Sequence, residues 1–215
     1  MLRLLVSLAV AVSLASQLSS SAPSPVSEQL VRTPAGAVIQ APLFGSITTY
    51  PSLLKYLDST SPNFVAPNAI LSNRSPFLAH YSGNQISTPF RFDSLIKFTG
   101  IPSSAHQCEL GWAFPDGWDI EVGGVGLLNV YTVDREAEDD DSWADSPQEV
   151  SLWGSTTLRS GGGGIVNSAV CSGTMSFRIE ISRDSGRLGH VSFAQSNGPS
   201  HWGQPPAGWY LTYQV

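Results

Sequence analysis

The chain has 215 residues, of which 41% are hydrophobic and only 13% are charged, with 20 glycines and 15 prolines. This composition is apolar enough to fold and rich in turn-forming residues, so it favours one all-β domain with accessory segments over two full domains. The formal net charge is -6 and the eleven Lys and Arg residues are scattered, which excludes nucleic acid as an expected partner.

The N-terminal residues have the pattern of a secretory signal peptide. Arg3 gives the N-terminus a positive charge, the run Leu4–Leu14 is largely apolar, and small residues follow up to Ala22. The apolar run is shorter than the roughly 20 residues that a membrane-spanning helix needs, so cleavage is favoured over anchoring. We therefore expect residues 1–22 to be a signal peptide, the mature chain to be secreted and extracellular, and no membrane to hold it afterwards.

Residues 23–66 are punctuated by prolines, which indicates a Pro-rich lead-in or linker with a helical turn near Leu53 and no core of its own. We place the β-domain at residues 67–215. Near its start, Asn73 begins an Asn-Arg-Ser sequence, which in a secreted chain predicts a glycosylation site.

From residue 67 onward, short alternating runs are separated by Gly, Pro, Asn and Ser. The clearest run, Met175–Ile181, places Met, Phe and two Ile on one side and Ser, Arg and Glu on the other, which is the period of a half-buried strand. Further strand candidates are Phe90–Asp93, Cys108–Phe114, Leu127–Val133, Val150–Leu158, Gly189–Phe193 and Trp209–Tyr213. Together they predict an antiparallel β-sandwich of about seven to nine strands.

The chain has two cysteines, Cys108 and Cys171, and both lie in strand-like sequence. A metal or redox role would need further Cys or His ligands nearby, or C-x-x-C spacing, and the sequence has neither. In an oxidising compartment such a pair is expected to form a disulfide. Closing the loop between them would stabilise the fold by roughly 4 kcal/mol on the chain-entropy model.

The segment Asp134–Glu149 holds eight of the chain's seventeen acidic residues. Clustered carboxylates can bind calcium, and Asp139 and Asp141 are weak candidate ligands. The D-x-D-x-D-G spacing of an EF-hand loop is absent, however, and consecutive aspartates cannot all turn toward one ion. The pattern favours a solvated, mobile loop that keeps the protein soluble.

A turn-like segment carries three carboxylates, those of Asp116, Asp119 and Glu121. Glycoside hydrolysis needs two carboxylates that flank the scissile bond, so a hydrolase using Asp119 and Glu121 is one open alternative. The same residues are common in ordinary turns. The chain has no G-x-S-x-G motif and no ligand-like histidine spacing. We therefore expect a protein that is not an enzyme, with no catalytic residues, no cofactor and no metal beyond the weak calcium candidate.

Three of the six tryptophans, Trp118, Trp143 and Trp202, fall in turn-rich segments where a flat ring could stack on a sugar. Such a site also needs polar groups around the ring, and Asp116 and Asp119 lie close to Trp118 in the sequence. A carbohydrate-binding module is the second hypothesis. The leading one is a secreted, non-catalytic protein that binds an unknown ligand or serves at the cell surface or in the matrix, with cell-wall polysaccharide or an extracellular protein as partner.

Several of these motifs occur in the order and spacing of a known family. They are the strand Phe90–Asp93, the segment Ile101–Ser104 before Cys108, the aromatic strand ending at Phe114, the segment Gly123–Val133, Cys171 ahead of its alternating strand, and the closing Gly208–Tyr213. Over residues 64–214 the chain resembles the secreted fungal proteins that carry the ubiquitin-3-binding-protein "But-two" C-terminal domain. The resemblance implies a secreted β-domain and supplies no catalytic residues.

Overall fold

The computed structural model describes residues 45–72, 77–84, 87–183, 188–197 and 207–215. Within these ranges the chain forms β-strands and one four-residue helix. In chain order the elements are β1 Ser46–Thr49, β2 Leu53–Asp58, α1 Ala69–Ser72, β3 Phe77–Asn84, β4 Ser87–Thr99, β5 His106–Ala113, β6 Ile120–Gly124, β7 Leu127–Val133, β8 Glu149–Thr157, β9 Gly163–Ala169, β10 Thr174–Ile181, β11 Gly189–Phe193 and β12 Gly208–Gln214.

The strands form two antiparallel sheets, which confirms the predicted all-β sandwich. The smaller sheet has the order β1-β12-β5-β9. The larger sheet has the order β6-β11-β3-β4-β10-β7-β8, and β2 also pairs with β4. The described ranges contain more strands than the predicted seven to nine, because β1, β6 and β9 are short or Gly-rich and carry little apolar alternation.

The main core lies between the two sheets and is built by the alternation visible in the sequence. On β10, the side chains of Phe177, Ile179 and Ile181 are buried, and Trp112 from β5 belongs to the same buried cluster. The Trp112 indole donates a hydrogen bond of 2.8 Å to Thr156 Oγ1, which satisfies the one polar atom of this ring. The polar residues of β10 therefore lie on the opposite, outer face of the larger sheet.

The predicted disulfide is confirmed: Cys108 and Cys171 are bonded, with their Cα atoms 5.1 Å apart. Cys108 lies on β5 and is fully buried, whereas Cys171 lies in the connection between β9 and β10. Since β9 and β10 belong to different sheets, the bond fixes the point at which the chain crosses from one sheet to the other.

The β-domain begins before residue 67, which corrects the predicted boundary of the linker over residues 23–66. Strand β1 pairs with β12 near the C-terminus, and β2 pairs with β4. The predicted helical turn near Leu53 is instead strand β2, whose leucines are buried on both faces of the sheet. A strand that is apolar on both faces shows no alternation, which is why the sequence pattern did not reveal it.

Within the described ranges, no helix has the length and apolar character that crossing a membrane would require. Residues 1–22, where the sequence predicts a signal peptide, lie outside the described residues, and so does the glycan-acceptor Asn73. Both stay predictions from the sequence.

Candidate functional site

The segment between β7 and β8, residues 134–148, folds over the outer face of the larger sheet, and we call it the flap. The sequence predicts a solvated loop, and six of the seven acidic residues of the flap are exposed. Ala137 and Asp141 are buried, however, which corrects the prediction that the segment makes no packing contact with the sheet. Lys55 on β2 is buried as well and donates a hydrogen bond of 2.7 Å from Nζ to the carbonyl oxygen of Asp139. The flap is therefore a packed part of the fold.

Beneath the flap lies a small apolar cluster that is separate from the main core. It consists of buried side chains from β2, β4 and the flap: Leu53, Leu57, Leu95 and Ala137. Trp143 of the flap packs on this cluster, and the guanidinium groups of Arg91 and Arg178 each lie 5.1 Å from the centre of its ring. The indole thus contacts both an apolar surface and two cations, and an aromatic ring favours both kinds of neighbour.

Beside this ring, charged side chains project from β4 and β10 away from the core. Asp93 is fully buried and accepts hydrogen bonds from Arg91 Nε at 2.6 Å and from Arg178 Nε at 2.8 Å. Arg178 also donates to Ser146 Oγ at 3.2 Å and to the Pro147 carbonyl at 3.4 Å. These contacts offset the cost of removing the charges from water, and they join the sheet to the flap.

Two glutamates complete this ion network. Glu180 on β10 is buried, accepts a hydrogen bond from Arg91 Nη2, and lies 3.1 Å from Arg183 Nη2. Glu149, at the start of β8, has a side chain that is 27% exposed and lies 3.2 Å from Arg91 Nη2 and 3.4 Å from Arg178 Nε. With Asp93, the network has three carboxylates against three guanidinium groups.

The three carboxylates lie as close together as the ligands of a metal ion. Asp93, Glu149 and Glu180 offer oxygens within 4.8 Å of one another. Arg91 Nη2, however, contacts all three carboxylates. Its guanidinium group occupies the position that a cation would take, so the cluster is a set of ion pairs.

The two aspartates named as weak calcium candidates bind groups of the protein itself. The Asp141 carboxylate accepts hydrogen bonds of 2.7 Å from Arg135 Nη2 and from the backbone N–H of Glu138. The Asp139 carboxylate accepts one of 3.2 Å from the side-chain amide of Asn68. These contacts use oxygens that a calcium ion would require, and both aspartates hold the flap in place.

A pocket of about 360 Å³ opens between the flap and the sheet, next to the ion network. Among the described residues its lining is polar apart from one indole ring: Arg91, Trp143, Gln148, Glu149, Arg178 and Arg183. Guanidinium and amide groups donate hydrogen bonds, a carboxylate accepts them, and the indole adds an apolar surface. The pocket therefore combines several hydrogen-bonding groups with one aromatic ring, and its lining is more polar than that of most small-molecule sites, which are mainly apolar.

The other predicted ligand-binding residues lie elsewhere. Of the three loop tryptophans, Trp143 lines the pocket, whereas Trp118 packs against the main core and donates a hydrogen bond of 3.2 Å to a backbone carbonyl. Asp116 and Asp119 are exposed in the turn before β6 and are not among the lining residues. Trp202 lies outside the described residues.

The carboxylate pair considered for glycoside hydrolysis lies at the edge of the larger sheet opposite to β8. Glu121 on β6 accepts a hydrogen bond of 3.3 Å from Ser192 Oγ and lies 3.3 Å from His190 Nε2. Asp119, just before β6, is exposed. Neither carboxylate is among the residues that line the pocket.

Sequence reasoning missed the arginines and buried carboxylates of the ion network. Arg91 and Asp93 alternate on β4, as Arg178 and Glu180 do on β10, and each pair looks like the solvent-facing side of a half-buried strand. The available signal was opposite charge at i and i+2 on two strands, since such residues can pair across neighbouring strands. No local pattern in the sequence shows that β4 and β10 are neighbours in the sheet.

The network gives the fold a pH dependence through Glu180. Burial raises the pKa of Glu180 above its ordinary value of 4.5; the nearby charge of Asp93 adds to the rise, and Arg91 acts in the opposite direction. The folded chain therefore keeps a proton on Glu180 at pH values where the unfolded chain releases it. Ionisation of Glu180 accordingly destabilises the fold as the pH rises above 4.5.

We expect Glu180→Gln, which resembles the protonated side chain, to remove this part of the pH dependence. Urea unfolding of the wild type and the variant from about pH 4 to about pH 7 measures it. The free energy of unfolding of the variant, taken relative to the wild type, should rise with pH across this range. A difference that stays constant with pH would contradict the prediction.

Comparison of the chain with family models and with curated proteins gives one match. A family model described as "Ubiquitin 3 binding protein But2 C-terminal domain" matches residues 49–199, a range that includes β2 to β11 and the flap. A comparison with curated proteins finds no match. The family model covers more than half of the chain, and it reaches the strands that carry the ion network. The chain belongs to the But2 C-terminal domain family.

Proposed function

We propose that this chain is a secreted, non-catalytic β-domain that binds a carbohydrate ligand in the pocket beside Trp143. The observation that carries the proposal is the lining of that pocket, where an indole ring lies among guanidinium, amide and carboxylate groups. A sugar presents hydroxyl groups that both donate and accept hydrogen bonds, together with an apolar ring face. The guanidinium, amide and carboxylate groups of the lining offer partners for the hydroxyl groups, and the half-buried Trp143 indole lies beside them.

Secretion is supported by two independent features. The N-terminal residues 1–22 have the charge and apolar pattern of a signal peptide. The disulfide between Cys108 and Cys171 suits an oxidising compartment, because cytosolic proteins rarely keep such bonds.

The absence of catalysis is supported by the state of the carboxylates at the pocket. Canonical glycoside hydrolases need two carboxyl groups that flank the scissile bond. Asp93 and Glu180 are buried and bonded to arginines, and of the network's carboxylates only Glu149 is among the described residues that line the pocket. One accessible carboxylate is fewer than the two that hydrolysis needs.

The test is binding of the mature, disulfide-bonded protein to insoluble chitin, β-glucan, mannan, cellulose and pectin, followed by titration with soluble oligomers. Trp143 should report binding through a change in intrinsic fluorescence. Retention on at least one polysaccharide is the expected result. If the protein is retained on none of them and no oligomer changes the fluorescence, the proposed function is wrong.

A matched pair of arginine variants tests whether the pocket is the binding site. Arg183 lines the pocket and its side chain is 47% exposed, so Arg183→Ala should weaken oligosaccharide binding about tenfold, the loss expected for a hydrogen bond to a charged group. Arg159 is exposed and does not line the pocket, so Arg159→Ala should bind as the wild type does. Fluorescence titration measures both affinities. Equal affinity of the two variants would contradict the assignment of the pocket.

A further inference from the structure

Glu149 differs from the other carboxylates of the ion network in its exposure and in the length of its contacts. Its side chain is 27% exposed, whereas those of Asp93 and Glu180 are 0% and 1% exposed. Its oxygen lies 3.2 Å from Arg91 and 3.4 Å from Arg178, which are long distances for charge-assisted hydrogen bonds. Glu149 is therefore the carboxylate that another anion could replace at least cost.

The groups around Glu149 suit a carboxylate from outside the protein. Three arginines line the pocket against this single acidic residue. Of these, Arg183 is the most exposed, and it also lies 3.1 Å from Glu180. Guanidinium groups bind carboxylates in a planar geometry that an ammonium group cannot match. If an incoming carboxylate displaces Glu149, the three guanidinium groups keep three anionic partners.

The acidic run of the flap, residues 138–141, lies away from the pocket. The acidic run of the flap lies toward the far end of β4, where Glu138 pairs with Lys97 at 3.3 Å and Asp139 accepts the hydrogen bond from Lys55. Lys97 is six residues along the strand from Arg91, which corresponds to about 20 Å. This separation exceeds the Debye length of about 8 Å at physiological ionic strength, so the repulsion from this acidic run is largely screened. Of the other flap acids, Asp145 lies 3.6 Å from Arg135, and Asp134 accepts a hydrogen bond from the backbone N–H of Gln148 at the pocket.

We infer that the ligand is an acidic glycan, and that the carboxylate of one uronic acid residue binds to Arg91, Arg178 and Arg183 in place of Glu149. The inference rests on the proposed function and names the class of sugar that the same pocket takes. A glycan fits better than a peptide carboxylate because the described lining is polar apart from one ring. Arginine clusters also recognise acidic peptide motifs, and the peptide arm of the test below distinguishes that class of partner.

Calorimetric titration of the mature protein with oligogalacturonate and with the same oligomer methyl-esterified tests the inference directly. The two probes differ only in whether the carboxylate is free. We expect the acid to bind and the ester to bind at least about tenfold more weakly, with affinity for the acid falling as salt is added. A mannuronate oligomer, and a short peptide with a free or amidated C-terminus, complete the panel.

The outcomes distinguish a failure of the acidic-glycan inference from a failure of the proposed carbohydrate binding. Equal affinity for acid and ester, or binding of neutral glycans alone, would overturn the acidic ligand and leave carbohydrate binding standing. Binding of no glycan at all would overturn both. Preference for the peptide with a free C-terminus over every glycan would also overturn both, since it would identify a different class of partner.

A glutamate variant tests the displacement itself. Glu149→Gln removes the competing negative charge, so it should bind the uronate oligomer up to about fivefold more tightly than the wild type. The control is Glu109→Gln, a half-buried glutamate on β5 of the other sheet, which should leave the affinity unchanged. Circular dichroism confirms that both variants are folded. Weaker binding by a folded Glu149→Gln protein would mean that Glu149 contacts the ligand instead of yielding to it.

Discussion

Replacing Asp93 with asparagine should reduce the free energy of unfolding by about 3–5 kcal/mol, the usual cost of removing one partner from a buried ion pair. Asp93 is fully buried and contacts both Arg91 and Arg178 at 2.5–2.8 Å, closer than Glu149 lies to either arginine. Asparagine keeps the shape of the side chain and removes its charge. Two guanidinium groups on the outer face of the sheet would then lose the fully buried anion that they share.

The measurement is urea or guanidinium unfolding of the wild type and the variant at neutral pH. Asp119→Asn provides the matched control, because Asp119 is exposed in a turn and the same change there should alter stability by less than about 0.5 kcal/mol. If both variants were as stable as the wild type, the ion network would contribute little to the free energy of unfolding. Contacts other than the ion network would then have to hold the flap on the sheet.

Removing the disulfide is the second change with a large expected effect. Replacing both Cys108 and Cys171 with alanine should destabilise the fold by about 2–5 kcal/mol. The bond closes a loop with a sequence separation of 63 residues and fixes the crossing between the sheets. The unfolded chain gains most of its additional freedom when that loop opens.

Thermal unfolding with and without a thiol reductant measures this effect and supplies its own control. The wild type should lose stability on reduction until it matches the double-alanine protein, whereas the double-alanine protein should not respond to the reductant. Wild-type stability that does not change after complete reduction would contradict the prediction. That result would assign the stability of the sandwich to its core alone.

The sheets were largely predictable because alternation is a local property. The run Met175–Ile181 alternates clearly, and the structure has strand β10 at Thr174–Ile181. The disulfide between Cys108 and Cys171 was predictable because the chain has an even number of cysteines and both lie in strand-like sequence. Strand β2 escaped detection since Leu53 and Leu54 are buried on opposite faces, so the strand has no polar side to alternate with.

The candidate site was much harder to predict, because it depends on which strands are neighbours. Asp93 and Arg178 are 85 residues apart in the chain and meet only since β4 pairs with β10. The flap looked solvated because its charges are consecutive, yet Lys55 from β2 holds its backbone. Trp143 was singled out for its turn-rich surroundings, and its place at the pocket follows from the apolar cluster beneath it, which no local pattern encodes.

Glycan binding in the pocket between the flap and the outer face of the larger sheet is best tested by two-dimensional 1H–15N spectra of the mature protein. The titrants are chito-, gluco-, manno- and galacturono-oligosaccharides. We expect saturable shifts of the Trp143 indole N–H and the Arg183 guanidinium signals, with no shift of the Trp118 indole. Shifts centred on Trp118, or no saturable shift with any oligomer, would contradict this expectation.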